Sequence, residues 1–251
     1  MKKDTSELKS HYKSLKKEIK QRLRQFSALP APDYFYELCF CLLTPQSNAK
    51  KCWQAVEKLK KCRLQGRGVN SIKIKKTMRH RTLKGAVCKA PCFLDAQKLK
   101  AVSYDPILKN RVLISDIEKC LKKNTRFYRN KAKYIKEAVK KWHLIKEKII
   151  KIKGAAELRN WLVKNVKGLG YKEASHFLRN IGRSKNRIAI LDRHILRNLK
   201  RYGVVREIPN LNKKNYLLIE KKMIAFSRKI NIPLDELDLL LWAKETGSVF
   251  K

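Results

Sequence analysis

Apolar residues recur at helical spacing along nearly the whole chain, and this periodicity narrows the choice of fold. Residues 5–28 carry apolar side chains three or four positions apart, which predicts a basic amphipathic helix. The stretch YFYELCFCLLT at 34–44 is apolar nearly all round and therefore predicts a helix buried at the centre of the fold. We expect Thr44 to leave the helical region because Pro45 follows it.

Helical periodicity continues through the second half of the chain. It runs over residues 114–142, where Ser115 is the expected N-cap, and again over 153–166. The final stretch, 231–251, has the pattern of a capped helix followed by a short tail. Strand patterns are few, so the sequence predicts an all-α protein assembled from short helices.

The charge balance points to a polyanionic partner. The chain has 62 Lys+Arg against 21 Asp+Glu, a formal net charge of +41, and a compact body so charged repels itself unless it lies against a polyanion. Nucleic acid is the expected partner because neutralising phosphates releases counterions. The charge is spread along the chain, which disfavours membrane binding, and no apolar run reaches the roughly 18 residues of a membrane span. The opening MKKDTSELKS lacks the apolar core of a secretory signal, so we expect a cytoplasmic protein.

One segment is more basic than the rest. Residues 58–94 are rich in Lys and Arg and contain no Asp or Glu, and the alternation in SIKIK hints at a short strand or extended arm. Two interpretations are open: a solvated basic insertion with incidental phosphate contacts, or an additional DNA-contacting arm. We favour the insertion, placed at 62–111, because runs of like charge are usually solvated.

The seven cysteines all lie in the first half of the chain and form no CxxC pair. Without a secretory signal, reduced buried thiols are expected. A zinc site of Cys62, His80, Cys88 and Cys92 is the alternative, but these residues lack the usual ligand spacing. No cysteine follows Cys120, which excludes a C-terminal iron–sulfur cluster. We therefore expect no metal and no cofactor.

A glycine turn joins two predicted helices within VKGLGYKEASHFLRN, residues 166–180. Gly168 and Gly170 permit backbone conformations that other residues avoid. The second helix is expected to start near Tyr171 and to end at Gly182. Outward-pointing amides at the start of that helix suit an anion such as a DNA phosphate.

Two charged residues follow this turn at a defined spacing. Lys172 lies directly behind the glycines, and Asp192 begins another predicted helix in ILDRHILR twenty residues later. Taken separately, Lys172 is a solvated surface charge and Asp192 is a helix N-cap, for which aspartate is a preferred residue.

Together these residues resemble the helix-hairpin-helix DNA glycosylase superfamily, in which Gly-x-Gly, one further residue and a lysine precede an aspartate that begins a helix about twenty residues later. KGLGYKEASHFLRNIG and ILDRHILR are most similar to the archaeal type 2 8-oxoguanine DNA glycosylase/AP lyases. ELCFCLLT, RFYRNKAKYI and LDELDLLLWAKETGSVFK extend the resemblance over most of residues 20–61 and 112–251. The basic segment between these ranges has no recognised counterpart.

The resemblance implies a single glycosylase unit of two helical subdomains with the active site in the cleft between them. We place one subdomain at 112–200, with the helix-hairpin-helix at about 157–181. The other then combines 1–61 with 201–251. The implied substrate is double-stranded DNA containing oxidised guanine, acted on by a monomer.

The resemblance also implies the chemistry. Lys172 would attack the anomeric carbon of the damaged nucleoside and form a Schiff base, which permits β-elimination and strand nicking. Asp192 would stabilise the positive charge that develops on the sugar or help to activate the lysine, while still capping its helix. Lys167, Gly168 and Gly170 would contact the DNA backbone.

Five further residues are implied in handling the flipped base, since a base inside a duplex is out of reach. Phe127 and Trp242 would stack on it, with core packing as the competing interpretation for Trp242. Asp238 would accept a hydrogen bond from the base or else face solvent. The terminal carboxylate of Lys251 would accept the N7 proton that distinguishes 8-oxoguanine from guanine. Gln46 would fill the gap left by flipping or serve in the turn after the buried helix.

Two other functions fit parts of this pattern. An endonuclease III-like enzyme for oxidised pyrimidines is disfavoured because its four-cysteine cluster is absent from the sequence. A non-catalytic helix-hairpin-helix nucleic-acid-binding protein would need the glycines but neither Lys172 nor Asp192.

Overall fold

The computed structural model describes residues 5–64 and 113–251. All regular secondary structure in these two ranges is helical, which confirms the all-α prediction. A 3-10 turn at Ala31–Asp33 accompanies the α-helices, which are α1 Ser6–Ser27, α2 Tyr34–Leu43, α3 Ala49–Leu64, α4 Ile114–Leu121, α5 Tyr128–Lys151, α6 Ala155–Asn165, α7 Tyr171–Asn180, α8 Arg193–Arg201, α9 Lys213–Ile230 and α10 Leu234–Thr246. Apart from the end of α3, the predicted insertion at 62–111 and the alternative zinc ligands lie outside the described residues.

Helix α2 is central, as its composition predicts. Every side chain from Phe35 to Leu43 is buried. The expected departure of Thr44 from the helical region is wrong, since this residue has φ −67° and ψ −28°. Its amide donates to Phe40 O at 3.1 Å and its hydroxyl to Cys41 O at 2.9 Å. These two bonds hold Thr44 in the helical conformation that the following proline disfavours.

The helical pattern over 114–142 forms two helices rather than one. The chain turns between α4 and α5, and Phe127, at the N-cap position of α5, has a left-handed conformation with φ 54°. The N-cap position of α4 is Leu113, so the expected capping role of Ser115 is wrong and Ser115 lies in the first turn of the helix.

Two buried clusters organise the helices. The first joins α2 through α7 and includes Phe40, Trp142 and Phe177. The second joins α1 with α8, α9 and α10 and includes Leu8 and Leu240. This packing groups the helices differently from the boundaries expected from sequence. Helices α2 and α3 belong with the hairpin helices α6 and α7, whereas α8 belongs with the C-terminal helices and α1.

A buried ion pair connects the two clusters. Arg159 on α6 forms a two-pronged pair with Glu220 on α9, and its Nη2 donates to Glu220 Oε1 at 2.9 Å. Glu220 Oε2 also accepts from the Ala189 amide at 2.8 Å, just before α8. The charges are thus satisfied internally, as burial requires. None of the helices in the described ranges is both long and apolar enough to cross a membrane.

Candidate active site

A cleft of about 1000 Å³ lies where the two clusters meet. Thr44 and Lys172 line it from the first cluster's side, and Asp192 and His194 line it from the second. Most of the residues predicted for the site contribute to its wall: Gln46, Lys172, Asp192, Asp238, Trp242 and Lys251. The fold therefore brings together side chains that are far apart in sequence.

The glycine turn needs glycine at one of its two positions. Gly168 has φ 89°, and a Cβ built there would lie 2.4 Å from Cδ2 of the Tyr134 ring. Both the left-handed backbone and the close ring require glycine. Gly170, in contrast, is the extended N-cap of α7 with φ −87°, so the expectation of an unusual conformation there is wrong. Lys167, Gly168 and Gly170 are exposed outside the cleft, while Leu169 anchors the turn in the core.

Lys172 is held in the cleft wall by two contacts. It is the second residue of α7, and its side chain is 23% exposed. Its Nζ lies 3.4 Å from Thr44 Oγ1 and 3.3 Å from Glu173 Oε1. The interpretation of Lys172 as a solvated surface charge is therefore wrong.

Asp192 caps α8, as predicted from its position. Its Oδ1 accepts hydrogen bonds from the amides of His194 and Ile195, both at 2.8 Å. A carboxylate so held has a fixed orientation at the positive end of the helix dipole.

Asp238 is buried rather than solvent-facing, which removes one of its two sequence interpretations. Only 5% of the residue is exposed, and its Oδ2 lies 3.5 Å from Nη2 of Arg179. Burial raises the pKa of Asp238 to about 7, although the charge of Arg179 acts to lower it. Protonated and ionised forms are therefore both accessible near neutral pH.

Trp242 and Lys251 form further parts of the wall. Trp242 is half-buried, lines the cleft and packs edge-to-face against His194 with ring centroids 5.1 Å apart, so it lies outside the buried core. The ammonium of Lys251 pairs with Glu37 and lies 3.4 Å from the centroid of the Trp53 ring. Burial lowers the pKa of Lys251, while the Glu37 carboxylate acts in the opposite direction.

Phe127 stands apart from the other predicted base contacts. It is 54% exposed and is not among the residues that line the cleft. Its neighbour Arg126 does line the cleft, with the guanidinium carbon 5.4 Å from the centroid of the Phe127 ring. Stacking of Phe127 on a flipped base stays a prediction.

Three buried groups near the cleft were not predicted from the sequence. Lys131 is 4% exposed, and burial lowers its pKa to about 8, with the charges of Lys172 and Arg126 acting in the same direction and Cys52 opposing them. His176 and Arg179 are buried in the cleft wall, and burial lowers the pKa of His176 well below its usual value. A lysine or arginine among 62 carries no signal of its burial in sequence.

The described cysteines are buried, as predicted: Cys39, Cys41, Cys52 and Cys120. Within residues 5–64 and 113–251, no group of three His, Cys, Asp or Glu side chains is arranged to hold a metal ion.

The cleft contains a lysine directly behind a glycine turn and an aspartate that caps another helix. Together with the two helices that the turn joins, these residues define a helix-hairpin-helix DNA glycosylase fold. A family model described as 8-oxoguanine DNA glycosylase (Ogg-HhH) matches residues 19–113 and 92–232. The chain belongs to this 8-oxoguanine DNA glycosylase family.

Individual relatives agree with the family assignment. A protein of Fusobacterium nucleatum described as 8-oxoguanine DNA glycosylase/AP lyase is 39% identical over 256 residues, covering 98% of this chain and 97% of the relative. The crystal structure of the Methanocaldococcus jannaschii 8-oxoguanine DNA glycosylase matches with a TM-score of 0.71 at 29% identity, covering 98% of this chain and 94% of that one. A complex of the same archaeal glycosylase/lyase with a 15mer DNA containing 8-oxoguanine matches with a TM-score of 0.69 at 29% identity, covering 96% and 98%.

Proposed function

We propose that this protein excises 8-oxoguanine from double-stranded DNA and then cleaves the strand at the resulting abasic site. The observation that carries the proposal is the placement of Lys172 and Asp192 in one cleft, each supplied by a different helical cluster. The relative that is 39% identical over nearly its whole length bears the name of this activity.

The DNA backbone would bind outside the cleft. The exposed hairpin at Lys167, Gly168 and Gly170 offers a lysine and the unblocked N-terminus of α7 to a backbone phosphate. The damaged nucleotide then rotates out of the stack and into the cleft, where the reacting groups lie. The exposed Gln46, at the cleft edge, fills the gap that the base leaves in the duplex.

Lys172 supplies the nucleophile. Its neutral amine donates an electron pair to the anomeric carbon, and the bond between that carbon and the base nitrogen breaks as the base leaves with the bonding pair and takes up a proton. Loss of the amine protons and opening of the sugar ring give a Schiff base. Removal of a C2′ proton then expels the 3′ phosphate by β-elimination, which nicks the strand.

The surrounding groups prepare this attack. Thr44 and Glu173 contact the Lys172 ammonium and hold it in the cleft wall, and Glu173 is a carboxylate in position to accept its proton. Asp192 is held by two amides and places a negative charge beside the sugar, where positive charge develops as the base departs.

Base recognition uses other residues of the cleft wall and its rim. Trp242 offers a flat ring for stacking, Asp238 offers a carboxyl group that titrates near neutrality, and Phe127 at the rim supplies a second aromatic surface. Lys251 lines the cleft with its ammonium held by Glu37, and this residue contacts the N7–H of the oxidised purine.

We further propose that the protein acts as a monomer, because the cleft needs no group from a second chain, and that its substrate is chromosomal DNA in the cytoplasm, the compartment expected from the sequence. Sedimentation of the protein alone and with a lesion duplex tests the monomer, and a protein dimer on a single lesion would contradict it.

Borohydride trapping on a duplex with 8-oxoguanine opposite cytosine tests the chemistry. The wild type should form a covalent protein–DNA adduct, and Lys172→Gln should form none. Lys164→Gln is the matched control, because it removes an exposed lysine from the first helix of the same hairpin, at a residue without a role in binding or chemistry, and should still be trapped. A wild type without adduct, or a trapped Lys172→Gln, contradicts the proposal.

A non-catalytic DNA-binding role is tested with Asp192→Asn in the same duplex. Enzymatic function predicts DNA binding with lost cleavage for this variant. Binding by both proteins with no cleavage by either would favour the binding module.

A further inference from the structure

Lys131, near the start of α5, uses its whole donor capacity on one short turn. Its Nζ donates to Leu43 O at 2.7 Å, to Pro45 O at 2.9 Å and to Ser47 Oγ at 2.8 Å. An ammonium has three N–H donors and no acceptor, so all three are committed. The Leu43 carbonyl belongs to the last turn of α2, where helix carbonyls lack partners within the helix and a cation is favoured by the helix dipole, and the Pro45 carbonyl lies in the turn just beyond the helix.

The turn that Lys131 holds carries groups of the proposed active site. Thr44 contacts the Lys172 ammonium at 3.4 Å. Gln46 is exposed at the cleft edge with φ 52°, a left-handed conformation that non-glycine residues adopt only where their surroundings impose it. Lys131 contacts the carbonyl of Pro45 and the hydroxyl of Ser47, so it holds the residues on both sides of Gln46.

Ser47 joins the first turn to a second one. Its Oγ accepts from Lys131 and also from the Arg126 amide at 3.0 Å. Arg126 directly precedes Phe127, which is the other left-handed residue at the rim, with φ 54°. A single hydroxyl therefore links the two strained, exposed positions that face away from the protein core.

We propose that Lys131 is a positioning residue that, together with Ser47, keeps the rim turns of Gln46 and Phe127 in register to support the duplex when the damaged base leaves it. This inference rests on the proposed function. The ammonium touches neither the sugar nor the base and acts through the backbone of the turns.

The two steps of the reaction depend differently on such support. Base excision requires that a paired, stacked nucleotide leave the helix, so the rim must compensate for lost stacking. An abasic site has no base to extract, so its cleavage needs Lys172 and the groups around it but no support for a duplex that is losing a base. A positioning role at the rim therefore affects excision more than cleavage of a preformed abasic site.

The test compares Lys131→Met and Ser47→Ala with wild type in single-turnover assays on two duplexes, one with 8-oxoguanine opposite cytosine and one with an abasic site. We expect Lys131→Met to slow excision by about tenfold or more, since displacements near 1 Å can cost about 100-fold, and to slow abasic cleavage by less than about threefold. Ser47→Ala should show the same bias with a smaller loss.

Lys141→Met provides the matched control. Lys141 lies on the same helix, is exposed, and donates to one carbonyl, Asn165 O at 3.3 Å, away from the cleft. Both of its rates should equal those of the wild type. Equal losses on the two duplexes for Lys131→Met, or wild-type rates on both for Ser47→Ala, overturn the inference. If thermal melting shows that Lys131→Met is unfolded, the bias of Ser47→Ala decides. A wild type that excises nothing refutes the proposed function instead.

Discussion

The buried pair of Arg159 and Glu220 should make a large, measurable contribution to the stability of the fold. Arg159 is 1% exposed, so replacing it with methionine leaves the Glu220 carboxylate buried and without its cation. Breaking a buried pair from one side costs about 3–5 kcal/mol. In a chain of this size, each kcal/mol of lost stability lowers the melting temperature by roughly 2–4 °C. We therefore expect the melting temperature of Arg159→Met to fall by roughly 6 to 20 °C.

The double variant Arg159→Met/Glu220→Met distinguishes the effect of breaking the ion pair from the effect of lost side-chain packing. It removes both charges and leaves the Ala189 amide without its acceptor, which costs about 1–3 kcal/mol. We therefore expect the double variant to be more stable than either single one. The exposed pair of Lys151 and Glu147 on α5 supplies the control, and Lys151→Met should leave the melting temperature nearly unchanged.

Chemical denaturation and thermal melting of the four variants measure these differences. If Arg159→Met melts within about 2 °C of the wild type, or if the losses of the single variants add up in the double variant, the buried pair does not stabilise the fold as proposed.

Three other predictions concern the hairpin, the cleft and the basic segment. Gly168→Ala should lose about 1–3 kcal/mol of unfolding free energy because of its φ of 89° and its contact with Tyr134, whereas Gly170→Ala should lose clearly less; equal losses in denaturant titrations would contradict this. Asp238 has a folded pKa of about 7 against a usual 3.8, so the native state binds more protons between these values, and the stability that this protonation contributes is lost as pH rises from about 4 to 7. Asp238→Asn should lack this decline in stability. If the melting temperatures of the wild type and the variant changed in parallel from pH 4 to 8, the prediction would be wrong. Deleting about residues 63–110, nearly all of which lie outside the described residues, should flatten the salt dependence of DNA binding without changing base preference, and an unchanged slope would mean that the segment does not contact DNA.

Local patterns in the sequence were sufficient for much of the fold. Periodicity predicted α1, the composition of 34–44 predicted the burial of α2, and the glycines predicted the turn before α7. The N-cap role of Asp192 was also predictable, since capping depends on the next three residues alone. Thr44 shows the limit of local rules, because hydrogen bonds within α2 outweigh the effect of the following proline.

Contacts between distant residues were not predictable from pattern. Apolar spacing identifies the buried face of a helix but not its partner, so the grouping of α2 with α7 and of α8 with α10 differed from expectation, whereas α1 packs with α10 as expected. The same reason hides the pairing of Lys251 with Glu37 and the burial of Asp238 against Arg179. Lys131 is the clearest case, since its three acceptors lie more than 80 positions earlier in the chain.

Lys172 is proposed as the residue that attacks the sugar. Peptide mapping by mass spectrometry of the borohydride-trapped wild-type protein on an 8-oxoguanine duplex tests it most directly. We expect the reduced DNA adduct to be attached to Nζ of Lys172. Attachment to another amine, such as Lys131 in the rim or Lys167 in the hairpin, would contradict it.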